Sequence, residues 1–327
     1  MNDQTTQENQ WKIVLLPRLQ VDILVACFLL QEFGEEKFPG IKNAEYIFWI
    51  DIPNDADVQK LEEEGHIFLD MGAGKFDHHT TQGEKHEKCV SEMVAEHLNI
   101  HNKKSVRKLL EYARRDDIEG KGIISKDPID RAFGLSGLVN NLNRMLPDDQ
   151  DSVLRIVMPL FIAHHLEEKK RTEDFPAEYE QKLQDGRLTR FLIQTKRGLV
   201  NVITIETDEI GMAGYLRARA EINADIVVQK MSSGHVNIIT QQKRMFDLSE
   251  IARALRTQEI KEKGTSIAGI EDQLGNAGRV EGVEEWYLDT RARTIQNGGI
   301  RPQWTTPTRL SLAAIHAAIK EASVINI

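Results

Sequence analysis

Phe68-Leu69-Asp70-Met71-Gly72-Ala73-Gly74-Lys75-Phe76-Asp77-His78-His79 carries the reading of this chain. Its apolar start predicts a short strand, His66 to Leu69, ending at Asp70. Gly72 and Gly74 supply a turn, and a second extended piece then delivers Asp77, His78 and His79. Carboxylates and imidazoles gathered at strand ends are the donor set of a hard-to-borderline divalent cation such as Mn²⁺. Such a cation polarises a phosphoryl oxygen and activates water at neutral pH, as hydrolysis of a phosphate ester requires. An exposed acidic turn carrying two histidines would read the same over Asp77 to His79 alone. Asp70, at the end of an apolar strand just upstream, argues for a site.

Outward from this stretch, Lys12 to Leu16 predicts a buried strand and Pro17 to Gln20 a loop. Asp22 then opens an amphipathic helix, Ile23 to Phe33; an acid there also suits the helix dipole. A strand over Tyr46 to Ile50 ends at Asp51, and helix Val58 to Glu64 leads into the strand before Asp70. This βαβαβ order predicts a parallel sheet with crossover helices. Ligands gather at the carboxyl ends of such strands, where Leu16, Asp51 and Asp70 fall. Helices follow over about Cys89 to Leu98 and Ser105 to Arg115. The second runs into Asp116 and Asp117. Two acids at a helix C-terminus oppose its dipole and call for a compensating cation, unless they form a solvated turn closed by Gly120.

The 327 residues suffice for two domains, and 40% apolar with 28% charged residues is ordinary for a soluble globular protein. The net charge of −9 argues against coating long duplex nucleic acid. It is compatible with a small nucleotide or a short single strand held through a metal and a few local cations. Cys27 and Cys89 lack Cys-x-x-Cys spacing, which suits a reducing compartment. The polar amino terminus has no signal-type apolar region, and the run Ile23 to Leu30 is too short to span a bilayer. A cytoplasmic protein without membrane contact is expected. Residues 127–180 read as helical; His164 and His165 within them point in different directions and are not taken as ligands. The expected division is residues 1–171, a linker over 172–186, and a second domain over 187–327. That second domain begins with a hairpin, Leu188 to Gln194 and Leu199 to Thr204, around Lys196-Arg197-Gly198. A helix over Gly211 to Glu221, strands over Asp225 to Lys230 and His235 to Thr240, and a helix over Leu248 to Glu262 complete an α/β pattern. Gly264 to Gly282 reads as mobile, and a last helix runs from about Ser311 to Ala322.

Together these features resemble the DHH phosphoesterase superfamily, named for its Asp-His-His motif. The short step from Asp70 to Asp77-His78-His79 is more similar to the branch of melanocyte-proliferating-gene exonucleases and their bacterial relatives. The resemblance implies a parallel-sheet α/β domain of DHH type followed by a smaller α/β substrate-binding domain. The family's first motif, His-x-x-x-Asp-x-Asp, falls on Leu16 to Asp22; only Asp22 matches, with Leu16 and Gln20 replacing the histidine and the first acid. The resemblance makes Asp70 the metal-bridging acid and His78 a ligand. It makes Asp77 the support of His78, places His79 near the scissile phosphate, and puts the last acid on Asp117 or Asp116. Asp22, Asp70, His78 and Asp117 would then form one complete metal site, and a second would keep only Asp70. In the second domain the implied substrate loops are Ser233-Gly234-His235 and Asn297-Gly298-Gly299, whose turn amides could cradle an anion. Lys243 and Arg244 could hold a terminal phosphate, and Phe246, Trp286 and Trp304 could stack a base. As bare sequence these loops also read as ordinary hairpin turns, and the aromatics as core. The implied activity is Mn²⁺-dependent (or Mg²⁺-dependent) hydrolysis of phosphodiester bonds in short oligonucleotides or small nucleotides, by an exonuclease-like hydrolase with a homo-oligomeric or protein partner. Leu16 and Gln20 favour an alternative, a non-catalytic DHH-fold protein whose partial metal site serves a ligand-binding or assembly subunit. A third reading is a metal-independent nucleotide sensor using the second domain alone.

Overall fold

The computed structural model describes residues 10–53, 56–79, 87–120, 125–196, 198–266, 268–298 and 304–325. The chain divides into two compact units, residues 1–173 and 174–327.

Unit 1 opens with β1 (Lys12–Leu15), α1 (Val21–Phe33), β2 (Glu45–Phe48), α2 (Val58–Glu63) and β3 (His66–Phe68). The three strands form an all-parallel sheet in the order β2-β1-β3, with Ile13 opposite Tyr46 on one side and Ile67 on the other. Then come α3 (Val90–His97), α4 (Arg107–Asp117), α5 (Pro128–Phe133), α6 (Leu135–Met145) and α7 (Gln150–Lys169). Helix α1 differs from the amphipathic expectation: every residue from Val21 to Leu30 is buried. A helix apolar on all sides belongs inside a core, and α1 packs against α3, α4, α6 and α7. On the other face of the sheet, Val58 and Leu61 of α2 pack over Val14, Phe68 and Met71, together with Leu16.

The segment expected as a linker, 172–186, is mostly helical. A π-helical turn spans Lys170–Asp174, and α8 (Phe175–Gln184) follows. Unit 2 continues with β4 (Leu188–Thr195), β5 (Gly198–Glu206), α9 (Met212–Ala218), β6 (Ile226–Lys230), β7 (Val236–Thr240), α10 (Ser249–Lys263), β8 (Tyr287–Asp289), β9 (Thr294–Gln296) and α11 (Leu312–Ile325). Its six strands form a mixed sheet in the order β4-β5-β6-β7-β9-β8. Only β5 and β6 run parallel, joined through α9, and the antiparallel β4–β5 register sets Thr195 opposite Gly198. One core lies around α10 and α11 and another around Phe175 and α9.

Within the stretch Gly264 to Gly282, read as mobile from its glycines, Leu274, Asn276 and Gly278 are tied down. Arg256 of α10, wholly buried, donates to the carbonyls of Leu274, Asn276, Gly278 and Trp286. Beside it, buried Glu259 accepts from Trp286 Nε1, Thr308 Oγ1 and the Arg309 amide. Burial pushes the Arg256 guanidinium down to about 10, which leaves it charged at neutral pH. Among the described residues, no helix is long and apolar enough to cross a membrane.

Candidate metal centre

The turn after β3 is built to present side chains. Leu69 bridges to Phe76, and the Asp70 amide donates to the Phe76 carbonyl at 3.0 Å, closing the loop. Closure places Asp70 (φ 61), Gly72 (φ 78) and Ala73 (φ 50) in the left-handed region. That region costs a non-glycine residue about 1–2 kcal/mol, and aspartate is among the more tolerant. Position 72 favours glycine by its φ of 78, and a Cβ there would also push aside Ile52 Cδ1, 2.0 Å away. Asp77 fixes the loop from within: its carboxyl oxygens accept from the Ala73 and His79 amides at 2.8 Å each. It is a positioning residue for His79 and the turn.

His78 is wholly buried at the centre of the cluster. Its Nδ1 stands 3.6 Å from Asp70 Oδ1, and its Nε2 stands 3.6 Å from Asp117 Oδ2. His79, with 47% of its side chain exposed, brings Nε2 to 3.3 Å from the same Asp70 oxygen. Among the described residues two groups have ligand atoms close enough to share an ion: Asp70 with His78 and His79, and Asp22 with His78 and Asp117. Asp22 and Asp70 thus fall into different groups that meet at His78, where the family correspondence put both in one site.

Asp22 has a structural task as well. Its two carboxyl oxygens accept from the Val90 and Ser91 amides at 2.9 Å each, capping the N-terminus of α3, whose first amides have no partner in their own helix. Burial pushes its carboxyl above the usual range, with the nearby Asp117 adding to the effect and hydrogen bonds from Ser91 opposing it. Asp116, one step along α4, faces elsewhere and accepts from Ser136 Oγ at 2.5 Å. Of the two acids left open by the sequence, Asp117 is the one at the cluster. Both lie inside the last turn of α4 instead of beyond it.

The loop that carries Leu19 is held from far along the chain. Asn143 Nδ2 donates to the Leu19 carbonyl at 2.8 Å, and the Leu19 amide donates to Gln150 Oε1 at 3.4 Å. Nothing in the sequence near Leu19 announces these partners. Leu16 packs in the apolar cluster on the sheet's outer face. Cys27 and Cys89 are buried free thiols, pushed up by burial.

In unit 2 the candidate substrate residues are engaged internally. His235 is buried, with Ser233 Oγ 3.0 Å from Nδ1 and the Thr305 carbonyl 2.8 Å from Nε2. Gly234, at φ 84, makes the turn between β6 and β7. Asn297, wholly buried, donates to the carbonyls of Glu285 and Thr306 and accepts from the Thr308 amide. Arg244 pairs with Asp225 at 3.0 Å and donates to the Leu199 carbonyl. Gly298 follows Asn297 at φ 91, and Gly299 lies outside the described residues. Phe246 and Trp286 are core, whereas Trp304 is exposed. No family model and no curated protein matches the sequence, so the case for a function rests on the geometry of unit 1.

Proposed function

We propose that unit 1 is a DHH-type, divalent-metal-dependent phosphoesterase domain acting on phosphodiester bonds of short oligonucleotides or small nucleotides. One observation carries this reading. A wholly buried imidazole has a carboxyl oxygen 3.6 Å from each ring nitrogen, and a second, solvent-facing histidine stands 3.3 Å from one of those oxygens. Ligand atoms sharing an ion at about 2.0–2.2 Å stand roughly 3–4 Å apart, so the donor set fits a metal.

A neutral imidazole has one bare nitrogen and one N–H, so His78 cannot serve both groups as a ligand. Asp70, His78 Nδ1 and His79 Nε2 would hold the ion. His78 Nε2–H would then face Asp117, the outer carboxylate that commonly orients a ligating histidine. Two imidazoles in the set favour Mn²⁺ over Mg²⁺. When bound, the ion would supply Lewis acidity toward a phosphoryl oxygen and the attacking water. The chain's own residues then have separate tasks. His79 is the exposed member that a substrate phosphate meets, Asp77 keeps its backbone in place, and Asp22 ties α1 to the start of α3. The substrate-binding role expected of unit 2 gains no support from Ser233, His235, Arg244 or Asn297, whose polar atoms are engaged internally.

A second reading, a metal-stabilised DHH-fold subunit without turnover, is favoured by Leu16 in an apolar cluster and by both Asp22 oxygens on backbone amides. The two are separated by assaying the full chain with Mn²⁺ against bis-p-nitrophenyl phosphate and a short oligodeoxynucleotide, beside Asp70→Asn. The expected result is Mn²⁺-dependent cleavage that Asp70→Asn abolishes. Stoichiometric Mn²⁺ binding without cleavage would select the second reading, and no Mn²⁺ binding at millimolar concentration would sink both.

A further inference from the structure

Around Ser136, which donates to Asp116, lies a cavity of about 700 Å³ whose walls include Tyr112, Pro128, Ala132, Ser136 and Asn140. That volume is within the usual range for small-molecule sites, roughly 300–1,000 Å³. Its α5–α6 wall has little room to rearrange. Gly137 lets α6 run so close to α5 that a Cβ there would meet the Arg131 carbonyl oxygen at 2.7 Å.

The cavity's chemistry follows from a directed chain of hydrogen bonds. Ser136 Oγ gives its only proton to Asp116 Oδ1. The 3.1 Å contact between Tyr112 Oη and Ser136 Oγ must therefore be donated by the tyrosine. Tyr112 Oη in turn accepts from the Ser136 amide at 3.2 Å. Both hydroxyl protons are thus directed along the chain toward Asp116, and what the two hydroxyls have left to offer is lone pairs. A ligand edge meeting them has to donate. Around them the Tyr112 ring, Pro128 and Ala132 are apolar, Asn140 adds one amide, and Asp130 and Arg131 bring one charge of each sign to the wall.

We propose that this cavity binds an amino-bearing planar heterocycle of nucleoside size, with its exocyclic N–H₂ on the lone pairs of Tyr112 and Ser136. Apolar faces with a donor edge are the features such a ring presents. As the base pocket of the phosphoester site, the cavity rests on the function proposed above, since Asp116 and Asp117 are adjacent on α4. As a nucleoside site it is tested by binding alone.

The test uses the full chain, without metal, titrated with adenosine and with purine riboside, which lacks only the exocyclic amino group. Adenosine should bind at least about tenfold tighter than purine riboside, which has no donor to place on the two lone pairs. Ala132→Trp, at an exposed wall position, should weaken adenosine binding at least about tenfold by filling the space. Tyr112→Phe, which removes one acceptor, should bring the two ligands to within about threefold of each other. Absence of adenosine binding, equal affinities in the wild type, or an unaltered Ala132→Trp would each overturn the proposal. Mn²⁺ binding is measured separately on the same samples. If adenosine binds as expected and Mn²⁺ does not, the phosphoester reading fails and the cavity stands.

Discussion

Buried polar side chains occur in both units, and two groups of them differ in what their atoms face. In unit 2, Arg256, Glu259, His235 and Asn297 each meet backbone amides or carbonyls of segments distant in sequence. In unit 1, Asp70, His78, His79 and Asp117 face one another at separations of 3.3–3.6 Å, with one histidine open to solvent. A polar group that closes a backbone bond holds the fold, and its removal leaves a buried partner without a mate. Acids and imidazoles converging on one place form the kind of donor set that a divalent cation can take. The same residue types carry opposite consequences, and the difference is visible only in what each atom meets.

The strongest test of this contrast is Arg256→Met. Four carbonyls would lose their donor, and breaking such a buried charged network typically costs about 3–5 kcal/mol. A large fall in the urea midpoint with unchanged Mn²⁺ binding is expected; a change in Mn²⁺ affinity would break the contrast. Next comes Asp70→Asn, which keeps a residue tolerant of the left-handed backbone and removes the charge. Wild-type protein should gain about 2.7 kcal/mol when Mn²⁺ is at a hundred times its dissociation constant. Thermal scans of Asp70→Asn should show no such gain. A Mn²⁺ shift that survives the substitution would move the ion to the Asp22–Asp117 group.

The smallest effect concerns pH. His316 of α11 has its Nε2 2.7 Å from Thr204 Oγ1 and its ring against Phe191. Burial lowers its pKa from 6.5, and Lys320 lowers it further. A group whose folded pKa is depressed below its unfolded value, when its neutral form is the buried one, stabilises the fold above the unfolded pKa. That contribution declines as pH falls through 6.5 toward the folded value. His97 and His164 shift the same way, so the measurement is a difference. The drop in urea midpoint between pH 7.5 and 5.5 should be smaller in His316→Gln than in the wild type. Equal drops would remove His316 from the account.

Local pattern carried much of the mixed α/β fold. The βαβαβ order over residues 12–68 and the antiparallel β4–β5 pair follow from apolar runs and turn residues within a few positions of each other. What escaped was set by distance or by exceptions to local rules. Strands β8 and β9 are three residues each, too short for alternation to register. Arg256 reads as the polar face of an ordinary helix, because sequence alone cannot show that later carbonyls will surround it. For the candidate centre, Asp70 and Asp77 to His79 sit within one turn, and their proximity was legible. Choosing between Asp117 and Asp116 required the rotation of α4. The grip of Asn143 and Gln150 on Leu19 spans more than a hundred residues and leaves no local trace.

The Arg256–Glu259 hub also bears on how the chain is made. Helix α10 presents both residues before their partners exist, because the carbonyls at 274–286 and the Thr308 and Arg309 groups are translated later. Until those residues leave the ribosome, a guanidinium and a carboxyl destined for full burial must stay hydrated, so α10 cannot settle into its final place. Unit 1 has no such debt to unit 2, since its sheet and the helices around α1 are complete by residue 169. Synthesis should therefore release a folded first unit while the second waits for its last strands and α11, and a nascent chain stalled near residue 290 should expose unit 2 to protease while sparing unit 1.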